Sequence, residues 1–212
     1  MSKGVAFGDY HSWDDWDLFC TKIEIDPPKI QHYTVDVPGR DGALDLTEAL
    51  FGGDAHYYDR EMRCTFDVSL ADIKRSFWDI LSEIQSAIHG RRVQIVLDED
   101  PDYYWDGFCS VDGDDGSGEI EITAECRPYK YYASETELTV EDDGEVVLPC
   151  DRMDVVPTVT VTAETIITCG SSSLALSAGT YSLTGLQLSE GGNTWQIESD
   201  GTTTITYRQG RL

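Results

Sequence analysis

Three observations predict a mainly β protein with one helix. Short segments in which apolar and polar residues alternate recur along the chain, and turn residues separate them at the roughly 8–12-residue spacing typical of β-sandwiches. Only the stretch at about residues 70–89 has apolar residues at helical spacing. Beyond Pro128 basic residues become rare, and Thr, Ser and Gly dominate. We therefore predict two domains, a β-sandwich or barrel at 1–130 that includes the helix and a β-sandwich at 131–212.

Alternating segments place the strands of the first domain. They are expected at 5–7, 22–25, 33–37, 57–68, 93–97, 108–111 and 119–124. The acidic turn Asp112–Gly118 superficially resembles a calcium loop. However, an EF-hand loop requires glycine at its sixth and glutamate at its twelfth position, which Ser117 and Thr123 occupy here. We expect a solvated turn without a metal ion.

The predicted helix has one apolar face. Its members are Ile73, Phe77, Ile80, Leu81, Ile84 and Ile88. Ser69 or Asp72 can cap the N-terminus, and Gly90 can end the helix. Burial of this face should contribute about 1.5–3 kcal/mol per large side chain before conformational entropy is subtracted. We expect the helix to cover a sheet.

Strands of the second domain are predicted from the same alternation. They are expected at 137–141, 155–161, 166–168, 173–176, 179–183, 193–197 and 203–207. Trp195 lies on one of them, where it can fill the core or stack on a sugar. Near the N-terminus, Trp13 and Trp16 present the same alternatives. They can fill the core at the end of the domain, or they can form an aromatic surface that stacks on a sugar and is flanked by carboxylates. In both places the core interpretation is favoured.

The net charge of −25, from 15 basic and 40 acidic residues, excludes several classes of function. Nucleic-acid binding depends on Lys and Arg releasing phosphate counterions, so free nucleic acid is not an expected ligand. No apolar run approaches the length of a membrane span, and no basic-then-apolar leader is present. We expect a soluble chain that does not insert into membranes and is not exported by a cleaved signal.

The six cysteines are scattered and include no Cys-x-x-Cys pair. Their density is too low for a disulfide scaffold, and zinc-ligand spacing is absent. Several lie in strand-like apolar runs, as Cys64 does. We expect buried free thiols and no metal.

No motif indicates an enzyme. With 40 acidic residues, chance carboxylate pairs are unavoidable. The best pairs, Asp14/Asp15 and Asp98/Asp100, lie in turn-like runs, whereas a catalytic acid needs a burial signal. No serine triad order, nucleophile elbow, phosphate-binding glycine loop or metal-type histidine pair is present. We expect no catalytic residues and no cofactor.

The stretch 35–48 predicts a projecting arm. An Arg-Asp pair flanked by two glycines follows a proline, which favours a tight, exposed turn. The alternation after it predicts a short, half-buried strand, whose unpaired backbone groups favour pairing with another chain. The candidate intersubunit residues are Pro38, Gly39, Arg40, Asp41, Gly42, Leu44, Asp45, Leu46 and Thr47.

This stretch resembles the arm of distal tail proteins from long, flexible-tailed bacteriophages, where it follows a paired-proline strand start, here Pro27-Pro28. Other phrases similar to that family occur in the same order, at 11–18, 57–60 and 89–107. The closing run 207–212 also resembles the family's ending, with Gln209 in place of an acid. The resemblance thus covers nearly all of the first domain and the last residues of the chain.

The resemblance implies a structural role in a virion. The first domain would form a hexameric ring between the tail-tube protein and the tail-tip hub or tail-associated lysin, with receptor-binding proteins as further neighbours. Galectin-like second domains would decorate the outside, and DNA would pass through the bore without binding. The ring would lie at the tail tip after assembly in the host bacterial cytoplasm. The alternative is a carbohydrate-binding module or adhesin that acts through the second domain, with Trp195 as the stacking residue.

Overall fold

The computed structural model describes residues 4–51, 55–68 and 75–212. These residues form antiparallel sheets and few helical segments, so the predicted mainly β fold is confirmed. The chain divides into two compact units, one running to Pro101 and including Trp105–Pro128, the other formed by Asp102–Tyr104 and Tyr129–Leu212. The division into domains at 1–130 and 131–212 stays a prediction.

The first unit is built on one antiparallel sheet. Its elements are β1 (Val5–Phe7), β2 (Tyr10–His11), β3 (Phe19–Ile25), β4 (Thr34–Val35), β5 (Leu44–Asp45), α1 (Thr47–Phe51), β6 (Arg60–Asp67), α2 (Phe77–Ile88), β7 (Arg91–Leu97), β8 (Tyr103–Asp114, which begins in the second unit) and β9 (Glu119–Cys126). The strand order is β2-β1-β7-β8-β9-β6-β3, and β4 pairs with β5 in a separate two-stranded sheet. Side chains in β6 alternate between buried and half-buried, as expected for a strand with one face on a core.

The apolar face predicted for the helix is present in α2. Ile80, Leu81, Ile84 and Ile88 are buried in the core of the first unit. The described helix begins at Phe77, later than predicted. Ser76 caps it, because its hydroxyl accepts a 3.1 Å hydrogen bond from the Asp79 N–H. The predicted caps Ser69 and Asp72, and Ile73, lie outside the described residues.

The two N-terminal tryptophans have different environments. Trp16 is fully buried, with its ring stacked at 5.5 Å on Tyr10 and at 6.2 Å on Phe7. Trp13 is exposed. The core interpretation therefore holds for Trp16 and not for Trp13.

Two four-stranded sheets share one core in the second unit. The elements are β10 (Lys130–Tyr132), β11 (Thr136–Val140), β12 (Gly144–Cys150), β13 (Thr158–Val161), β14 (Thr165–Cys169), β15 (Ser172–Leu176), β16 (Gly179–Tyr181), a 3-10 helix (Thr184–Leu186), β17 (Gly191–Ser199), β18 (Thr203–Tyr207) and β19 (Gly210–Arg211). The sheet orders are β11-β18-β13-β16 and β12-β17-β14-β15. Val159 and Ile205 from one sheet and Ile167 and Ile197 from the other are buried together, as in a β-sandwich.

All six cysteines are free thiols, and five of them are buried. Burial raises the pKa of Cys109 and Cys126 to about 12 and that of Cys150 to about 11. In the part of the chain that the structure describes, no cluster of His, Cys, Asp or Glu could hold a metal ion. Within the same ranges, no helix has the length and apolar character needed to cross a membrane.

We expect thiol titration of the denatured protein to detect close to six cysteines. In the native protein the reaction should be slow, because buried, protonated thiols are poor nucleophiles. A chelator should leave the melting temperature unchanged. Detection of two or fewer thiols after denaturation would show that disulfides or metal bonds hold the others.

Candidate intersubunit interface

Residues 26–59, of which 26–51 and 55–59 are described, form a projection that we call the arm. Hydrogen bonds join its two sides from the base upwards. At the base, the N–H of Asp26 donates to the Glu61 carbonyl over 2.9 Å. Further up, the N–H groups of Tyr58, Gln31 and Leu46 donate to the carbonyls of Lys29, His56 and Tyr33 over 2.9, 2.8 and 2.7 Å. The arm is thus longer than the stretch singled out in the sequence.

The predicted tight, exposed turn is present at the tip. The N–H of Arg40 donates to the Val37 carbonyl over 3.1 Å, which closes a turn with Pro38 and Gly39 at its centre. Gly39 has φ 84° and Gly42 has φ 77°, both in the left-handed region that favours glycine. Arg40 and Asp41 between them are exposed.

The segment at 44–47, which follows the tip of the arm, differs from the prediction in two ways. Leu44 and Asp45 pair with Val35 and Thr34 of the same chain, so one edge of β5 is already occupied. The predicted strand does not continue to Thr47, because α1 begins there. Asp45 causes the change of direction, since its carboxylate accepts a 2.9 Å hydrogen bond from the Thr47 N–H. Hydrogen bonds from the Thr47 hydroxyl and backbone lower the pKa of the Asp45 carboxyl.

One face of the arm is apolar and exposed. Tyr33, Val35 and Val37 alternate along the chain and share a face, with 50 %, 48 % and 40 % of their surface exposed. Leu44 lies opposite Val35 and is half-buried, as is Leu46. No described residue from 26 to 59 is buried. The described part of the arm therefore adds no buried side chain to the core of the first unit, and it presents apolar surface of the kind that marks interaction sites.

The nine candidate residues all lie on the arm, from its tip to the start of α1. The sequence analysis predicted a strand at 33–37 but did not identify its apolar residues Tyr33, Val35 and Val37 as candidates for an exposed interface. Alternation predicts that the three side chains share a face, but not whether another layer covers that face.

Trp195 lies in the core of the second unit with 2 % of its surface exposed. A sugar can stack only on an accessible ring face, so the stacking interpretation would require this core to open. The candidate sugar site at Trp195 is therefore corrected to a core position.

The face of β6, β8 and β9 that points away from the core concentrates negative charge. Carboxylates lie directly opposite one another across the strands. The pairs are Glu61/Glu125, Asp67/Glu119, Asp112/Glu121 and Asp114/Glu119. Like charges at such positions are destabilising. We call this surface the acidic face.

This fold is one found in the adsorption apparatus of a bacteriophage. The chain is similar over its whole length to the crystal structure of Dit (gp 19.1) from SPP1, a paradigm of the hub adsorption apparatus in phages that infect Gram-positive bacteria. The TM-score is 0.71 and the identity 14 %, and the match covers 100 % of both chains. The predicted resemblance to distal tail proteins is thus confirmed at the level of the fold.

The other comparisons carry no argument about function. A designed double-stranded β-helix, solved by NMR, matches 37 % of this chain with a TM-score of 0.26 and 13 % identity. No family model and no curated protein matches the chain.

Proposed function

We propose that the protein is a structural component of a bacteriophage tail tip, a distal tail protein that assembles into a hexameric ring. The full-length fold similarity to Dit carries this proposal. The arm supports it, because a projection in which no described side chain is buried is explained if another subunit covers it. In a closed ring each subunit offers its arm to one neighbour and receives the arm of the other, a heterologous contact that closes by rotation.

The ring would join the tail-tube protein on one side to the tail-tip hub or tail-associated lysin on the other. Receptor-binding proteins would attach at the same assembly. The protein would lie at the tip of the virion after assembly in the host bacterial cytoplasm. The second unit would act as a galectin-like peripheral domain.

We propose that the protein has no catalytic activity. The carboxylates of Asp14 and Asp98 contact the ring nitrogens of His11 from its two sides, at 3.3 and 3.1 Å, and Asp14 is largely exposed. These contacts join β2 to the end of β7 in the first unit. These contacts are explained by a structural role, and no catalytic reaction is needed to account for them.

The assembly state tests the proposal directly. Size-exclusion chromatography with light scattering should give a mass six times that of the 23.6 kDa chain. Negative-stain images of the same fraction should show rings with a central opening. A protein that stays monomeric at the highest attainable concentration would overturn the hexameric ring.

We also expect no measurable affinity for duplex DNA, even at low salt, where electrostatic attraction is largest. DNA leaves a phage through the bore of the tail, and carboxylates such as those of the acidic face would repel phosphates there. Fluorescence anisotropy of a labelled duplex should not change on addition of protein at about 10–20 mM salt, where charges are weakly screened. Saturable binding would contradict the expectation, as would a ring whose bore is lined mainly by Lys and Arg.

A further inference from the structure

The last strand of the large sheet, β3, has one unpaired edge. Among the described strands it pairs only with β6. At the end of β3 the N–H of Asp26 donates to the Glu61 carbonyl, so the backbone of Asp26 faces the β6 side. Backbone groups of successive strand residues point to opposite sides, and those of Ile25 and Ile23 therefore face away from β6. An edge of this kind is a template on which another strand can form hydrogen bonds.

The core of the first unit is incompletely covered at this edge. Ile25 lies opposite Met62, which is buried, so the Ile25 side chain is on the core side of the sheet, as is that of Ile23. Ile23 is nevertheless only half-buried, and 37 % of the Ile25 surface is exposed. A further strand with apolar residues on the same side would extend both the sheet and the core.

The arm carries a strand with this pattern, β4. Tyr33 and Val35 lie on its apolar face, and Thr34 points to the other face. The N–H of Leu46 donates to the Tyr33 carbonyl, so the backbone of Tyr33 faces β5 and that of Thr34 faces away from it. No other strand in the described part of the chain pairs with this outer edge of β4.

The two free edges fit each other in one orientation. In an antiparallel pair, residues that exchange hydrogen bonds lie directly opposite each other with side chains on the same face, which would put Thr34 on the core side. In a parallel pair, a residue bonds to the two neighbours of the residue opposite it. Thr34 would then bond to Ile23 and Ile25 and lie opposite Glu24. Only the parallel pair places the apolar residues of both strands on the core side.

The added strand has to come from another copy. Parallel neighbours within one chain need a crossover connection of a dozen or more residues, and only residues 26–33 separate β3 from β4. We propose that β4 of one copy adds to β3 of another as a parallel strand, with Val35 opposite Ile25 and Tyr33 opposite Ile23. This inference rests on the proposed ring and names the surface that receives the arm.

Cross-linking tests the register of the added strand. Val35→Cys combined with Ile25→Cys should give disulfide-linked oligomers on oxidation with diamide, because directly opposite residues of neighbouring strands have Cα atoms roughly 5 Å apart. Thr34→Cys combined with Ile25→Cys is the matched control. Its two thiols would point to opposite faces of the sheet and should not be linked. Each single substitution is oxidised alone to show that the native thiols do not supply the bond.

A proline tests the hydrogen bonds. Thr34→Pro removes the N–H that would donate to the Ile23 carbonyl, whereas Thr34→Val keeps this N–H and has nearly the same volume. Neither substitution removes the hydrogen bond between Leu46 and Tyr33. We expect the dissociation constant between subunits to be about five- to tenfold higher for the proline variant than for the valine variant, as for the loss of one hydrogen bond. Light scattering over a dilution series measures this difference.

The outcomes separate this inference from the proposed function. A parent hexamer in which Val35→Cys and Ile25→Cys are not linked would keep the ring and overturn the added strand. Preferential linking of Thr34→Cys to Ile25→Cys would overturn it too, as would equal dissociation constants for the proline and valine variants. A parent protein that never associates would overturn both the ring and the added strand.

Discussion

Trp195→Ala is expected to lower the free energy of unfolding of the second unit by about 3–5 kcal/mol. The indole belongs to a core that both sheets of that unit supply, with Ile167 from its own sheet and Val159 and Ile205 from the other. Removing it leaves a cavity that neighbouring strands can fill only partly, so lost burial and lost packing both contribute. Urea denaturation followed by circular dichroism should show the transition of the second unit at lower denaturant.

Val147→Ala provides the control on the neighbouring strand. Val147 is 58 % exposed and precedes Leu148, which is buried, so its truncation should change stability by less than about 0.5 kcal/mol. Equal effects of the two substitutions would contradict the assignment of Trp195 to the core. A glycan array adds an independent readout. Specific binding that disappears in a Trp195→Ala protein of unchanged stability would restore the carbohydrate-binding alternative.

Strands and helix faces that depend on short-range patterns were predictable from the sequence. Side chains alternate between two faces in a strand such as β6, and apolar side chains recur every three or four residues on the buried face of a helix such as α2. Both periodicities are therefore visible in the sequence of the element itself. Gly39 and Gly42 were equally readable, because few other residues favour a positive φ. In each case the signal lies within a few consecutive residues.

Element boundaries set by side-chain hydrogen bonds were less predictable. Thr47 continues an alternating pattern that predicts a strand. However, its N–H donates a hydrogen bond to the Asp45 carboxylate, and α1 begins at Thr47. The strand β12 was missed altogether. It carries Pro149, which usually argues against a strand, and an edge position in the sheet is what tolerates it.

Features assembled from distant parts of the chain had no local signal. Arg92 and Arg127 meet at the Asp106 carboxylate only through the pairing of β7, β8 and β9. The same holds for the acidic face, whose opposing carboxylates are set by strand register. A sequence provides the total charge, but the register decides where the charge concentrates.

Replacing residues 38–48 by a short Gly-Ser linker is expected to abolish ring formation and leave the chain folded. No described residue from 38 to 47 is buried, so the free energy of unfolding should change by no more than about 1 kcal/mol. The replacement removes the exposed turn, Asp41 and the β5 partner of Val35. It therefore removes both the exposed turn and the ordered apolar face that a neighbouring subunit would contact.

Light scattering should give a hexamer for the parent and a monomer for the variant, with native circular dichroism in both. The control replaces residues 114–117, an equally exposed turn between β8 and β9, and should remain hexameric. A linker variant that stays hexameric would show that other surfaces build the ring. A variant that loses its native circular dichroism would show that the arm stabilises its own unit, although no described side chain from 38 to 47 is buried.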